Sequence, residues 1–419
     1  IKGGVEMDSF KKLGLQLVKW ILLSLLMGVM IGVMVGGFKQ ILSTANHYRS
    51  THEKLVFGLP VAGVVISFLY VKVRRNAYSG ENLLKSEVQQ AAKNIPLSMI
   101  PAVVIGSLVT TFFGGSAGKE AAGVAIGGIT GDFLSRKFHL SDEEQRTLVV
   151  AGVGSGFGVL YNTPLAGAIL GMELVLKGKF HYEALLPAFL TSVISSEVAK
   201  QIGDELITYP SLELGALDLT LILKLVGMGL LFGLVAMMFN GALDLAPKIY
   251  SRWIKSPYIK GMVGGVLTII LFWMAGDNYN GLGQSHIALA FEEPVSLIEF
   301  IWKIIFTAVA LGSVFQGGRG NPTFFVGATF GSAIATFFKL PVASVAALGM
   351  IGVFCGATAL PLTGIMMAIE YFGSSHVMAI IIVMIISYSI SGFYDLLTHS
   401  KLAKGKKEIF EGQVESNGN

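Results

Sequence analysis

The sequence predicts an all-α, polytopic membrane protein. Three observations support this fold class: an apolar composition, a long series of apolar stretches and an internal repeat. Of the 419 residues, 53% are hydrophobic and only 14% are charged, and the mean hydropathy is +0.67. Because a soluble domain carries about 25% charged residues, this chain has too little charge to cover a soluble surface. The composition therefore excludes a disordered chain, a coiled coil and a secreted disulfide scaffold, and Cys355 is the single cysteine.

Apolar stretches follow one another along nearly the whole chain. They occupy residues 13–42, 55–73, 97–113, 121–134, 148–177, 183–199, 215–247, 260–276, 298–316, 322–339, 341–372 and 375–394. A helix needs ~20 residues to cross ~30 Å of hydrocarbon. Several stretches are shorter than that, and others are long but interrupted by glycine and proline. This mixture predicts broken and re-entrant helices beside full spans, and the first stretch is too long for a signal peptide.

Two sequence patterns occur twice at nearly the same offset. The pattern Gly-x₃-Gly-x₅-Phe is found at residues 28–38 and again, 201 residues later, at 229–239. The pattern Pro-Leu-x-Gly-x₅-Glu is found at residues 164–173 and again, 197 residues later, at 361–370. Either match alone could arise by chance, but two matches at nearly the same offset predict two homologous halves. Such halves with interrupted helices are typical of transporters and channels whose site lies near the midplane.

The repeat suggests how the chain is divided. We expect a first repeat at residues 7–205, a second repeat at 206–400 and a short polar tail at 401–419. Residues 1–6, which precede Met7, are expected to be a remnant of the expression vector. Lysine and arginine beside several apolar stretches predict that both termini are cytoplasmic.

The segment 114–123 (GGSAGKEAAG) places a glycine-rich loop and a carboxylate at the start of an apolar helix. Such a loop exposes backbone N–H groups, and a helix N-terminus carries about half a positive charge. An anion is attracted to such a place. Glu120 is itself an anion, so it is predicted to act as a tethered competitor that leaves when protonated; the bland alternative is that it only complements the helix dipole. Lys119 is expected to pair or snorkel rather than bind a ligand.

The second half contains an analogous segment at 317–325 (GGRGNPTFF). Asn321 suits an N-cap position and Pro322 suits the first helical turn, so a second helix is predicted to start at a polar, glycine-rich point. The alternative is a plain interhelical loop. Two such helix starts, aimed at one another from two repeats, would make an anion site from backbone dipoles without a metal.

These two segments, together with residues 148–176 and 356–370, resemble the CLC family of chloride channels and anion/proton antiporters. The resemblance covers nearly the whole chain. It implies the CLC-like fold of two inverted repeats with broken, partly crossing helices, and a homodimer with one pore per subunit. It also implies that Glu120 is the gating and proton-carrying glutamate. The family's pore tyrosine, near the start of the last helix, best corresponds to Tyr394, with Tyr388 as the alternative.

Departures from the chloride branch of that family point to its fluoride/proton antiporter branch. Where the chloride branch has a loop with a central serine, this chain reads Gly80-Glu81-Asn82-Leu83. The chloride antiporters also have two successive glutamates where this chain has Glu173-Leu174. However, the fluoride branch usually has a glutamate where this chain has Arg319, and Met or Asn in place of Glu81.

The predicted anion-binding residues belong to these loops. They are Gly80, Glu81, Asn82, Gly118, Arg319, Gly320, Asn321 and Tyr394. Glu81 and Arg319 lie in corresponding loops of the two halves, and we expect them to pair at the anion site; the alternative is that both face an aqueous vestibule.

The sequence therefore predicts a multi-pass cell-membrane protein that exchanges fluoride for protons, with a chloride/proton antiporter or chloride channel as the alternative. Its expected partners are a small anion, protons, membrane lipid and a second copy of the chain, and not nucleic acid. No cofactor or metal is expected. A remote alternative, an intramembrane serine hydrolase, comes from the pattern Gly114-x-Ser116-x-Gly118, but such a nucleophile needs a base within reach. We therefore expect the protein not to be an enzyme.

Overall fold

The computed structural model describes residues 2–73, 96–175, 181–203 and 208–398. These ranges contain fifteen α-helices. In chain order they are α1 (Lys2–Thr51), α2 (Leu59–Val73), α3 (Met99–Phe112), α4 (Glu120–Lys137), α5 (Asp142–Tyr161), α6 (Pro164–Val175), α7 (Leu185–Gln201), α8 (Leu219–Trp253), α9 (Pro257–Ala275), α10 (Gln284–Glu292), α11 (Glu299–Gly312), α12 (Gly320–Phe338), α13 (Val342–Thr358), α14 (Pro361–Phe372) and α15 (Val377–Thr398). The predicted all-α fold class is confirmed.

Long and short apolar helices coexist, as the sequence predicted. Among the described residues, four segments are long and apolar enough to cross a membrane: Gly14–Thr51, Glu53–Val71, Leu219–Trp253 and Pro257–Ala275. Their outward faces carry large apolar side chains, such as Leu223 and Trp273, which are 64% and 71% exposed. Shorter apolar helices, such as Val342–Thr358, are largely enclosed by the rest of the chain. The described chain therefore combines helices long enough to cross the hydrocarbon with apolar helices too short to cross it alone.

Two of the long apolar stretches are broken at equivalent points. The stretch 148–177 divides between α5 and α6 at Asn162, and the stretch 341–372 divides between α13 and α14 at Ala359; both residues have left-handed backbones, with φ of 56° and 59°. A proline follows two residues after each break and starts the next helix, where its missing N–H costs nothing. His139 and Lys339, 200 residues apart, are a second pair of left-handed residues; His139 lies two residues after the end of α4, and Lys339 lies directly after the end of α12.

Equivalent helix pairs also pack through the repeated glycines. In the first half, Gly28 of α1 lies against Ile194 of α7, with 2.7 Å between an added Cβ and the isoleucine methyl. In the second half, Gly229 of α8 lies against Ile386 of α15, where the corresponding distance to the isoleucine Cβ is 2.9 Å. Small residues let membrane helices approach closely. The repeated pattern therefore encodes the same helix contact twice, while the boundaries at 7–205 and 206–400 remain predictions.

The second repeated pattern joins the two halves. Glu173, at the end of α6, accepts hydrogen bonds from the backbone N–H groups of Leu362 and Thr363 at 3.1 and 2.8 Å. Glu370, near the end of α14, accepts hydrogen bonds from the N–H groups of Leu165 and Ala166 at 2.9 and 2.8 Å. Each carboxylate thus caps the N-terminus of the other helix, where negative charge is stabilising. This reciprocal pair fixes α6 against α14.

Candidate functional site

The two glycine-rich helix starts meet in the interior of the protein. Gly118 lies two residues before the first residue of α4, and Gly318 lies two residues before the first residue of α12. The backbones of these glycines bond to each other twice, from each N–H to the other's carbonyl oxygen, and both distances are 2.8 Å. The structure therefore brings together the two segments that the sequence singled out.

The Glu120 carboxylate lies at this junction. The residue is only 8% exposed. Its Oε1 accepts a hydrogen bond from the backbone N–H of Asn321 at 2.8 Å and another from the hydroxyl of Tyr161. Asn321 is the second residue of α12, so the carboxylate lies against the positive end of that helix. Oε2 is buried and has no hydrogen-bond partner among the described residues.

Glycines leave the space that the carboxylate occupies. A Cβ added at Gly320 would lie 3.0 Å from the Glu120 Cδ, and one added at Gly318 would lie 2.8 Å from the same atom and would collide with Oε2. An added Cβ at Gly118 would also meet Oε2. We call the space bounded by these glycines, the Asn321 N–H and the Tyr161 hydroxyl the carboxylate pocket. Two hydrogen-bond donors, one from α5 and one from α12, thus converge on one oxygen atom of Glu120 in this pocket.

The carboxylate pocket adjoins a cavity of about 660 Å³. Polar and aromatic residues from both halves line this cavity, among them Lys39, Lys119, Tyr161, Gln284, Asn321 and Phe324. Lys119 is only 3% exposed, and its Nζ lies 5.1 Å from the centre of the Tyr161 ring. The wall of the cavity thus carries two basic residues, Lys39 and Lys119, and one acidic residue, Glu292.

Tyr161 is held firmly at the end of α5. Its carbonyl oxygen accepts a hydrogen bond of 2.7 Å from the hydroxyl of Tyr371, and its ring centre lies 4.7 Å from that of Phe157 and 5.1 Å from that of Phe324. The next residue, Asn162, accepts a hydrogen bond from Lys39 through its Oδ1. These contacts fix the direction of the Tyr161 hydroxyl toward Glu120.

The start of α12 is anchored by the loop that precedes α10. The Asn321 side-chain N–H donates to the Leu282 carbonyl oxygen at 3.0 Å, and the Gly281 N–H donates to the Gly114 carbonyl oxygen at 2.9 Å. The loop thus bridges the two glycine-rich segments. The same loop is held by Lys303, whose buried Nζ donates hydrogen bonds to the carbonyl oxygens of Tyr279 and Gly281 at 3.0 and 2.9 Å.

One local prediction was wrong. The N-cap of α12 is Arg319 and not Asn321, because the Asn321 side chain is used by the Leu282 carbonyl and its backbone lies inside the helix. Pro322 does lie in the first turn, as predicted. Arg319 is half-buried at the helix start.

Other predicted site residues lie elsewhere or outside the described residues. Gly80, Glu81 and Asn82 are outside them, as is the side chain of Tyr394. Tyr394 was expected near the start of the last helix. The last described helix, α15, begins at Val377 and ends at Thr398, so the backbone of Tyr394 lies near its end. Tyr388 is half-buried in the same helix.

The serine hydrolase alternative depends on the surroundings of Ser116. The Ser116 hydroxyl lies 3.0 Å from the Thr307 hydroxyl, so the serine of the hydrolase pattern is paired with another hydroxyl and not with a general base. Within the described part of the chain, no three histidine, cysteine or acidic side chains are grouped as metal ligands.

Tyr161 is the functional candidate that sequence reasoning missed. A tyrosine at the end of an apolar helix is usually an interfacial anchor, and nothing in its own position marks it as different. The available signal was its place directly before Asn162-Thr163-Pro164, where the break between helices returns the end of α5 to the centre of the protein.

Comparison with known proteins agrees with this architecture. A family profile described as "voltage gated chloride channel" matches residues 62–392. A chloride/fluoride channel protein of Pseudomonas syringae pv. tomato is 33% identical over 383 residues, covering 90% of this chain and 85% of the relative. An H⁺/Cl⁻ exchange transporter of Cronobacter sakazakii is 27% identical over 84% of this chain and 81% of its own length.

Solved structures are similar over nearly the whole chain. The crystal structure of a CLC-type fluoride/proton antiporter superposes with a TM-score of 0.87 at 32% identity, covering 91% of this chain and 97% of that chain. A slow cyanobacterial Cl⁻/H⁺ antiporter superposes with a TM-score of 0.78 at 21% identity, covering 92% and 98%, which concerns the fold alone. Since the family profile spans most of the chain and a relative is 33% identical over 90% of it, the protein belongs to the voltage-gated chloride channel (CLC) family.

Proposed function

We propose that the protein exchanges fluoride for protons across the cell membrane, with Glu120 as both gate and proton carrier. The observation that carries this proposal is the placement of the Glu120 carboxylate, which binds the Asn321 N–H at the start of α12 as a free anion would. The carboxylate is thus a tethered competitor of the transported anion, in a pocket next to a cavity whose wall includes Lys39 and Lys119.

Protonation of Glu120 removes its charge and with it the attraction to the helix start. The neutral side chain then leaves the carboxylate pocket, and an anion from the cavity replaces it. When the anion has moved on, Glu120 releases its proton and returns. Because the pocket holds either the anion or the ionised carboxylate, anion and proton move in a coupled way.

Fluoride is the proposed anion for two reasons. One relative is named as a chloride/fluoride channel protein and a similar structure is titled a fluoride/proton antiporter. In addition, the Gly80-Glu81-Asn82 pattern and Leu174 depart from the chloride branch. Fluoride is small and strongly hydrated, so its site must supply directed donors; Asn82 and the amides near Asn321 are the proposed donors.

The test of coupling is Glu120→Gln, which removes the titratable group and keeps its size. In liposomes loaded with fluoride, we expect the variant to lose fluoride-driven proton movement. Glu197→Gln is a matched control, because Glu197 is an exposed carboxylate paired with Lys200 on α7. Proton pumping at the wild-type rate in Glu120→Gln would contradict the proposal.

The test of selectivity is the same efflux assay with fluoride and chloride in turn. We expect fluoride to move at least about tenfold faster, a difference of ~1.4 kcal/mol. Equal rates would favour the chloride/proton antiporter or channel alternative.

We also propose that Glu81 and Arg319 pair across the two pore loops, so that Arg319 offers directed donors without trapping the anion. Glu81→Gln and Arg319→Gln should then each impair fluoride transport, and the double variant should lose less than the sum of the two. Strictly additive losses, or two harmless single variants, would remove the pair from the mechanism.

The family resemblance further supports a homodimer with one pore per subunit, embedded in lipid with both termini in the cytoplasm. Light scattering of the detergent-solubilised protein distinguishes a dimer from a monomer.

A further inference from the structure

We propose that the Tyr161 hydroxyl is a ligand of the transported anion and determines the preference for fluoride, an inference that rests on the proposed exchange function. While Glu120 is ionised, this hydroxyl holds the carboxylate; when Glu120 leaves, the same hydroxyl turns to the anion.

The geometry of the carboxylate pocket carries the inference. Two donors, the Tyr161 hydroxyl and the Asn321 N–H, converge on one oxygen atom of Glu120. Tyr161 and Asn321 are only 1% and 4% exposed. Both donors therefore depend on the occupant of this pocket for their hydrogen bonds.

Departure of the glutamate side chain would remove the one acceptor that both buried donors share, and leave them to water from the adjoining cavity or to an anion. An unsatisfied buried donor is costly, and a hydrogen bond to a charged acceptor is stronger than one to a neutral acceptor. A small anion in the same position satisfies both donors at once. The Asn321 N–H is common to any anion site at a helix start, whereas the Tyr161 hydroxyl is a side-chain donor with a fixed direction.

A directed O–H donor discriminates between anions. Fluoride is the smaller anion and the stronger hydrogen-bond acceptor, so it loses more than chloride when a donor is removed. A site with a buried hydrogen-bond donor discriminates against an anion that is a weak acceptor, because that anion leaves the donor poorly paired.

Tyr161→Phe can isolate the hydroxyl, because the ring is held by other contacts. Tyr371 donates to the carbonyl oxygen of Tyr161, which the change retains, and the rings of Phe157 and Phe324 pack against the Tyr161 ring. The phenylalanine ring should therefore keep its place.

The first experiment measures fluoride binding by calorimetry in the Glu120→Ala background, where no carboxylate competes. We expect Glu120→Ala/Tyr161→Phe to bind fluoride about tenfold more weakly than Glu120→Ala, with a smaller loss for chloride. Glu120→Ala/Tyr250→Phe is the matched control, because Tyr250 is a buried tyrosine on α8 whose hydroxyl donates to the Val309 carbonyl at 3.3 Å. Equal fluoride affinity with and without the Tyr161 hydroxyl would overturn the inference.

The second experiment keeps Glu120 and compares fluoride and chloride efflux from liposomes for Tyr161→Phe. We expect the ratio of the fluoride rate to the chloride rate to fall severalfold, because fluoride loses more than chloride when the hydroxyl donor is removed. A purely structural tyrosine would lower both rates by the same factor, and that result would also overturn the inference.

The two proposals fail in different ways. If the wild-type protein moves no fluoride, the proposed function fails and this inference fails with it. If the wild-type protein moves fluoride with protons but both Tyr161→Phe measurements match their controls, only the role of Tyr161 is refuted.

Discussion

Gly318 should control whether Glu120 can occupy the carboxylate pocket. In Gly318→Ala the new methyl group would lie 2.8 Å from both Cβ and Cδ of Glu120 and would collide with Oε2. The φ of Gly318 is outside the left-handed region, so alanine is compatible with the backbone and the effect is one of space. The substitution therefore moves the carboxylate without changing any charge.

The size of the effect follows from the lost contacts. Displacement breaks the hydrogen bonds from Asn321 and Tyr161, each worth about 1.5–3 kcal/mol to a charged acceptor. Water in the adjoining cavity offsets part of that loss. A net destabilisation of about 2–4 kcal/mol corresponds to a roughly 30- to 1,000-fold lower occupancy of the pocket by the carboxylate. Fluoride movement should then become largely uncoupled from proton movement.

The assay is a pair of measurements. Proton uptake and fluoride efflux from liposomes give the coupling ratio, and thermal unfolding in detergent gives the stability. Gly318→Ala should destabilise the wild-type protein more than it destabilises Glu120→Ala, where Cδ and Oε2 are absent and only the contact with Cβ remains. Gly37→Ala on α1 is the matched control, because a Cβ there meets nothing within 4 Å.

A Gly318→Ala protein with normal coupling would refute the reasoning, since the carboxylate could not then be required in this pocket. Equal loss of stability with and without the Glu120 side chain would assign the effect to the backbone instead.

Three further predictions concern the frame around the site, and thermal unfolding in detergent tests each. Glu370→Gln weakens the cap on α6 and should cost ~1 kcal/mol, whereas the exposed-site change Glu197→Gln should cost less. Lys303→Met leaves two buried carbonyl oxygens unpaired and should cost about 2–4 kcal/mol; a cost near zero would mean that the loop before α10 does not need this lysine. Lys19 donates a hydrogen bond of 2.6 Å to Glu144 and thereby lowers the pKa of that carboxyl group. The stability that this hydrogen bond adds is therefore present at neutral pH and is lost as the pH falls through the lowered pKa. Because Lys19 is one-third exposed, Lys19→Met should cost at most ~1 kcal/mol at pH 7 and nothing in acid, and a pH-independent cost would contradict this explanation.

Much of the fold could be predicted from the sequence, because the bilayer imposes simple rules on a chain. Apolar length predicts which segments enter hydrocarbon, and the shortness of others predicts helices that end inside the protein. The pattern that ends in Glu173 and Glu370 revealed the repeat, although its physical use, a reciprocal cap between the halves, was visible only once the helices were placed. The prediction that Glu120 starts a helix in a glycine-rich setting was also local, since both features lie within ten residues of sequence.

Tertiary structure alone decided what surrounds the Glu120 carboxylate. Tyr161 is 41 positions away from Glu120, and Asn321 is 201 away. The sequence predicted that the Asn321 side chain caps the helix. Instead, the side-chain amide of Asn321 donates to the Leu282 carbonyl oxygen, and the backbone N–H of Asn321 donates to Glu120. Composition and periodicity state which residues are apolar or can donate a hydrogen bond. They do not predict which donors converge on one oxygen atom, because that depends on how the tertiary fold positions and orients the ends of helices that are distant in sequence.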